Sequence, residues 1–416
     1  MSLIKNSIYN LGGFIIPTIV AIPSLGVLAR TLGTESFGLF TLAFAVVGYA
    51  SIFDAGLTRA VIREISIFRD DKTERNNIIS TATISVALLG ILAAVIIYFS
   101  VHKIGVFLNV SVQLTDDFEK SFKVLSLAVP IFLVNQIWLA SLEGMERFGN
   151  INIQRTISSS CLAIIPAFFA YYYHSLYYAM LGLVIGRIIS LAISFLFSRE
   201  IILTAGWSFK FQTLKRLIMF GGWITVSNII SPVMVYFDRF VISHVLGANK
   251  VAFYTAPSEA VARLLNIPAA LSRALFPKLS SSTLATDKNK LERLSYILML
   301  IACLPILLVG MVFANKIMVI WMGPDYAGEP AMILRILLVG FIFNALAQIP
   351  FSKIQAAGYA KITATLHMFE LLPYLLALYY LTIHFSLIGT ALAWSLRVSL
   401  DFIALYILSR KKYVSR

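Results

Sequence analysis

The sequence predicts an all-α integral membrane protein, and three observations carry that prediction. Hydrophobic residues make up 59% of the 416 and charged residues only 13%. The mean hydropathy is +0.85, and this apolar content lies well above the roughly 45–50% of soluble domains. Apolar stretches of the length that crosses a hydrocarbon core, about 20 residues, recur from end to end. Basic residues gather in alternate loops, as they do where short loops stay on the cytoplasmic side. Almost no sequence is left over for a soluble domain.

Taken in order, the apolar runs predict twelve helices, near 10–30, 38–61, 78–100, 121–142, 156–174, 176–198, 217–241, 251–276, 294–316, 331–351, 363–383 and 386–409. The first run has no basic leader or small-residue cleavage site and is expected to be a retained helix. One set of loops holds Arg69, Lys72 and Arg75; Arg147 and Arg155; Lys210, Lys215 and Arg216; Lys288, Lys290 and Arg293; Lys353 and Lys361; and Arg410 to Lys412. The opposite set holds only Arg30, Lys103, Lys120, Lys123, Lys250 and Lys316. This bias predicts that both termini are cytoplasmic and explains the formal charge of +14 without a nucleic-acid partner. Cys161 and Cys303 fall in separate spans with no ligand spacing, so they read as packing residues.

The two halves of the chain match each other. "LGGFIIPTIVAIPSLGVLAR" (11–30) lies over "FGGWITVSNIISPVMVYFDR" (220–239), pairing Gly12–Gly13 with Gly221–Gly222, Pro23 with Pro232 and Arg30 with Arg239. "LGTESFGLFTLAFAV" (32–46) lies over "LGANKVAFYTAPSEA" (246–260) at a shift of 214, a register that also sets Arg59 over Arg273. Two parallel six-helix lobes related by a pseudo-twofold along the membrane normal are therefore expected, with a substrate site between them. The predicted division is an N-terminal lobe over 1–200, a cytoplasmic linker over 201–215 and a C-terminal lobe over 216–416.

An Arg or Asp at the centre of a membrane helix costs about 2.5–3.5 kcal/mol on insertion scales, so each needs a partner or a wet cavity. Arg263 and Glu259 are four apart in the eighth span, close enough to neutralise each other or to share a polar cavity. Arg397 and Asp401 have the same spacing and are expected to form an intrahelical pair. His367 and Glu370, three apart, suit a proton relay or interhelical hydrogen bonding. Asp238 and Arg239 close the seventh span. On a continuous helix Arg59 and Arg63 lie about 40° apart, whereas Asp54 is about 140° from Arg59. Asp54 is thus expected to find its partner on another helix, and Arg59, Arg63 and Arg273 to ring the inner mouth. No phosphate-binding loop, HExxH, nucleophile elbow or paired-Cys metal spacing occurs in the sequence, so neither catalysis nor a bound cofactor is expected.

"LIKNSIYNLGG", "ARTLGTESFGLF", "DAGLTRAVIRE", "EGMERFGNIN" and "WMGPDYAGEPAMILRILL", in this order over nearly the whole chain, resemble bacterial O-antigen and polysaccharide flippases. These belong to the multidrug, oligosaccharidyl-lipid and polysaccharide exporter superfamily. The resemblance implies a V-shaped bundle in the inner membrane that turns over an undecaprenyl-pyrophosphate-linked oligosaccharide by alternating access, coupled to a proton or sodium gradient. It also implies cationic cavity residues on helices one, two and eight, for which Arg30, Arg59 and Arg263 are the matching positions. Other membrane proteins of polysaccharide assembly are the expected partners. A cation-coupled drug exporter is the first alternative, and the predominance of Arg among the deep charges argues instead for an anionic cargo. A membrane-embedded polymerase or glycosyltransferase is the second, and it lacks the large outer loop or acidic motifs such enzymes use.

Overall fold

A computed structural model describes residues 3–411, apart from 55, 273–284 and 358. The described backbone contains helices and turns and no strand. The helices are α1 (Leu3–Leu32), α2 (Thr34–Tyr49), α3 (Leu57–Ile67), α4 (Lys72–Phe107), α5 (Thr115–Ser126), α6 (Ala128–Gly144), α7 (Phe148–Tyr173), α8 (Leu176–Ala205) and α9 (Phe211–Leu246). They continue as α10 (Ala248–Leu264), α11 (Ala285–Met322), α12 (Glu329–Ala356) and α13 (Ala360–Ser409). Among the described residues, seven helical stretches are long and apolar enough to cross a bilayer. The chain is a multi-pass, all-α membrane protein.

The chain divides into two compact units, one of residues 1–240 with 247–249, the other of 241–246 with 250–416. In the first unit, Leu57, Val61 and Ile65 of α3 pack with Ile78 and Val86 of α4, Leu133 and Ile137 of α6 and Ile201 of α8. Lipid tails are as apolar as these side chains, so association depends on close packing and on buried polar contacts. Ser194 of α8 donates to Asn135 Oδ1 of α6 at 2.6 Å, and Gln154 Nε2 of α7 donates to Ser190 Oγ of α8 at 3.1 Å. In the second unit Ser395 of α13 donates to the Ile336 carbonyl of α12 at 2.9 Å. Arg335, one of the charges within a span, donates from Nε to the Met311 carbonyl at 3.1 Å.

The sequence repeat reappears in where helices stop. α1 ends at Leu32 before Gly33, whose φ is 76°, and α9 ends at Leu246 before Gly247, whose φ is 98°. Only glycine adopts such angles without cost, so the repeated Leu-Gly pair encodes the same corner twice.

The second and eighth predicted spans differ from expectation. The second, 38–61, is not one helix: α2 stops at Tyr49, a 3₁₀ segment runs over Ala50–Asp54, and α3 starts at Leu57. The eighth, 251–276, ends as α10 at Leu264, with a turn at Leu265 and helix again over 266–272. The last two predicted spans, 363–383 and 386–409, meet where expected: the helical run α13 covers both and kinks at Ser386, where φ is 54° and ψ −142°. Thr382 and Thr390 bond across that bend at 2.9 Å.

Candidate functional site

α3 is strongly amphipathic. Leu57, Ala60, Val61, Glu64 and Ile65 form its buried face, and Arg59 and Arg63 lie on the exposed one. Glu64 is the exception on an apolar stripe, and a buried carboxylate demands cations. Two are supplied. Arg63 Nη1 lies 2.8 Å from Glu64 Oε1, and Arg216 Nε of α9 lies 2.8 Å from Oε2. Arg216 also reaches Glu74 of α4 at 2.9 Å. Each guanidinium rests on a ring, Arg63 at 4.4 Å from the centroid of Phe220 and Arg216 at 5.0 Å from that of Phe68. These stacks add a cation–π contribution.

Around this network opens a cavity of ≈ 410 Å³ lined by Arg63, Glu64, Gln212, Lys215, Arg216, Met219 and Phe220. Three cations and one acid share it with an apolar wall. Such a surface matches an amphiphile with an anionic head, since Arg presents its donors in pairs to phosphate oxygens. The segment before α9 is stitched to α4, where Ser208 N–H donates to Ser80 Oγ at 2.6 Å and Lys210 N–H to Thr81 Oγ1 at 3.1 Å. The wall of the cavity that α9 provides is therefore anchored.

The other expected site residues fall in several places. Asp54 is buried, and its partner is local rather than on another helix: its Oδ1 accepts from the Gly56 N–H at 2.6 Å. The expected long-range partner presumed an unbroken helix, and the break brings an amide within reach two residues on. Arg30 is exposed in the last turn of α1. Asp238 Oδ1 accepts from the Arg239 N–H at 2.8 Å, and the Arg239 guanidinium lies 5.3 Å from the Tyr236 ring centroid. In the second unit Arg263 pairs with Glu259 at 3.8 Å, directly before the turn at Leu265. Arg273 lies outside the described residues.

On α13, Asp401 is paired with His367, Oδ1 to Nε2 at 3.4 Å, and not with Arg397. The Arg397 guanidinium instead lies 5.2 Å from the Tyr374 ring centroid. Spacing of four permits an intrahelical pair, but the bend at Ser386 folds the other limb of α13 alongside and brings His367 to Asp401. One ligand atom each from His367, Glu370 and Asp401 lies within 4.8 Å of the others. Sequence reasoning missed Glu292, which lies in α11 with Lys353 Nζ at 2.9 Å and Arg410 Nη2 at 3.0 Å. An acid at the mouth of a span, in a chain rich in basic loop residues, was the available signal.

Comparison with known proteins decides the family. Residues 3–283 match the family of polysaccharide biosynthesis proteins. The chain belongs to that family. A Shigella flexneri relative named "Putative O-antigen transporter" is 49% identical over 405 residues, 97% of each chain. The chain is also similar, at 23% identity over 92% of this chain and 74% of the relative, to the lipopolysaccharide biosynthesis protein WzxC of Escherichia coli strain K12. The fold of this family member is similar to that of the lipid II flippase MurJ in an inward closed conformation, with a TM-score of 0.79 at 14% identity over 97% of this chain and 87% of that one. It is equally similar to an inward-facing multidrug transporter of the MATE family, with a TM-score of 0.78 at 16% identity over 97% and 98%. The resemblance to polysaccharide flippases read from the sequence thus agrees with the family assignment.

Proposed function

We propose that this family member is a flippase for a lipid-linked oligosaccharide, carrying an undecaprenyl-pyrophosphate-linked repeat unit from the cytoplasmic to the periplasmic leaflet of the inner membrane. The observation that carries this reading is the end-to-end 49% identity to a relative named for O-antigen transport. The cavity at Arg63, Lys215 and Arg216 supports it, because a pyrophosphate is a compact anion that hydrocarbon rejects and that clustered cations receive. Twelve helices in two parallel six-helix lobes would move by alternating access, with both termini in the cytoplasm. A proton or sodium gradient would supply the energy. The polyprenyl tail can remain in lipid while the sugars pass, and no covalent step is needed.

Reconstitution into vesicles with a fluorescent lipid-linked oligosaccharide tests the reading. Transfer between leaflets should require the protein and should respond to an imposed proton or sodium gradient. Transfer at the protein-free rate would overturn the flippase reading, and protein-dependent transfer indifferent to both gradients would overturn the coupling.

A further inference from the structure

We propose that His367, Glu370 and Asp401 form a binding site for one divalent first-row cation of the Zn²⁺ or Mn²⁺ class, which staples the two limbs of α13. His367 and Glu370 lie three apart on the limb before Ser386, on adjacent turns of one face, and Asp401 lies on the limb after it. Their ligand atoms lie within 4.8 Å of one another, an imidazole nitrogen with two carboxylate oxygens. This mixed donor set suits cations between hard Mg²⁺ and soft Cu⁺.

Two details favour a metal over a shared proton. Asp401 Oδ1 is buried and accepts no hydrogen bond, although His367 Nε2 is 3.4 Å away. A proton joining the two would lie on the line between them, whereas lone pairs converging on an ion need no such alignment. For bonds of about 2.1 Å, two ligands of a tetrahedral ion stand about 3.4 Å apart, which is the separation seen.

Charge points the same way. Two carboxylates that share a membrane span need a compensating cation when ionised, and Arg397, the cation one turn from Asp401, lies against the Tyr374 ring. A divalent ion offsets both acids. From α12, the element packed against this part of α13, Phe351 stacks on His367 at 5.9 Å and Phe343 packs on Phe402 beside Asp401. The Phe351 ring, parallel to the imidazole, orients it, as supporting contacts do around metal ligands. Three protein ligands leave a fourth position for water.

The test uses full-length protein purified in detergent and stripped with a chelator, then titrated with Zn²⁺ by calorimetry and with Mn²⁺ by electron paramagnetic resonance. One ion per chain is expected, with affinity falling at least about tenfold in His367→Gln, Glu370→Gln and Asp401→Asn. Equal affinity in wild type and Asp401→Asn, or no uptake by wild type, overturns the site. Wild type alone gives a second reading: Zn²⁺ should raise its unfolding temperature and Mg²⁺, which binds imidazole poorly, should not. An equal shift from both ions overturns the proposal. An infrared carboxylic-acid band that disappears in Glu370→Gln and is insensitive to Zn²⁺ does so too, and assigns the cluster to a proton. None of these readouts involves transport, so their failure leaves the flippase reading standing, and the reverse holds.

Discussion

Each unit buries one glutamate between two cations, and the two arrangements use their charge differently. Glu64 has a side-chain exposure of 4%, with Arg63 and Arg216 around it at 48% and 40%. Glu292 is as deeply buried, at 5%, but its nearer cation, Lys353, is itself only 9% exposed. In the first unit the cations keep donors free toward a cavity and rest on aromatic rings. In the second, the lysine is consumed by the acid. A half-exposed arginine pair can exchange the carboxylate for an incoming anion, whereas a buried lysine–glutamate pair serves the packing of α11 on α12. Similar pairs thus do different work, set by how much water and how many spare donors surround them.

Breaking the second pair should have the largest effect. Lys353→Met removes the buried partner of Glu292 and leaves it, among the described residues, the half-exposed Arg410, so the loss should approach about 3–5 kcal/mol, the cost of breaking a buried pair. Thermal unfolding in detergent should show this loss, and Glu292→Gln combined with Lys353→Met should recover much of it. A wild-type melting curve for Lys353→Met alone would show that the pair is not structural. Arg216→Ala should cost less, about 1.5–3 kcal/mol for the lost charged hydrogen bond to Glu74 and ion pair with Glu64, because Arg63 still neutralises Glu64. Its larger effect should be on vesicle transport. Transport at the wild-type rate would remove the cavity from the cargo's route. The smallest effect belongs to Asp54→Ala, which removes one hydrogen bond to the Gly56 amide and should cost about 1 kcal/mol. If transport falls with little change in melting, the break between α2 and α3 is a working hinge and not merely a bend.

Much of the architecture could be read before any coordinates. The apolar runs located the helices, and the repeated Leu-Gly pair marked two corners that Gly33 and Gly247 turn. These features are local: hydrophobic length depends on composition alone, and a positive φ is a property of one residue. The breaks were harder. Asp54 and Gly56 together spell an Asx turn, but the surrounding apolar run masked it as one span. At Ser386 the boundary between the last two spans falls where the sequence predicts it, but nothing in the sequence marks this residue for its φ of 54°.

Membrane class, family and repeat therefore follow from the order of residues, because length, hydropathy and local turn chemistry act between near neighbours. The partners of the buried charges do not. Glu64 meets Arg216 across 152 positions, and Asp401 meets His367 in preference to an arginine one turn away. Spacing shows only which pairs on one helix are within reach. Which pair forms depends on the neighbouring limb or helix that folding brings alongside, and on the cost of leaving any buried charge unmatched.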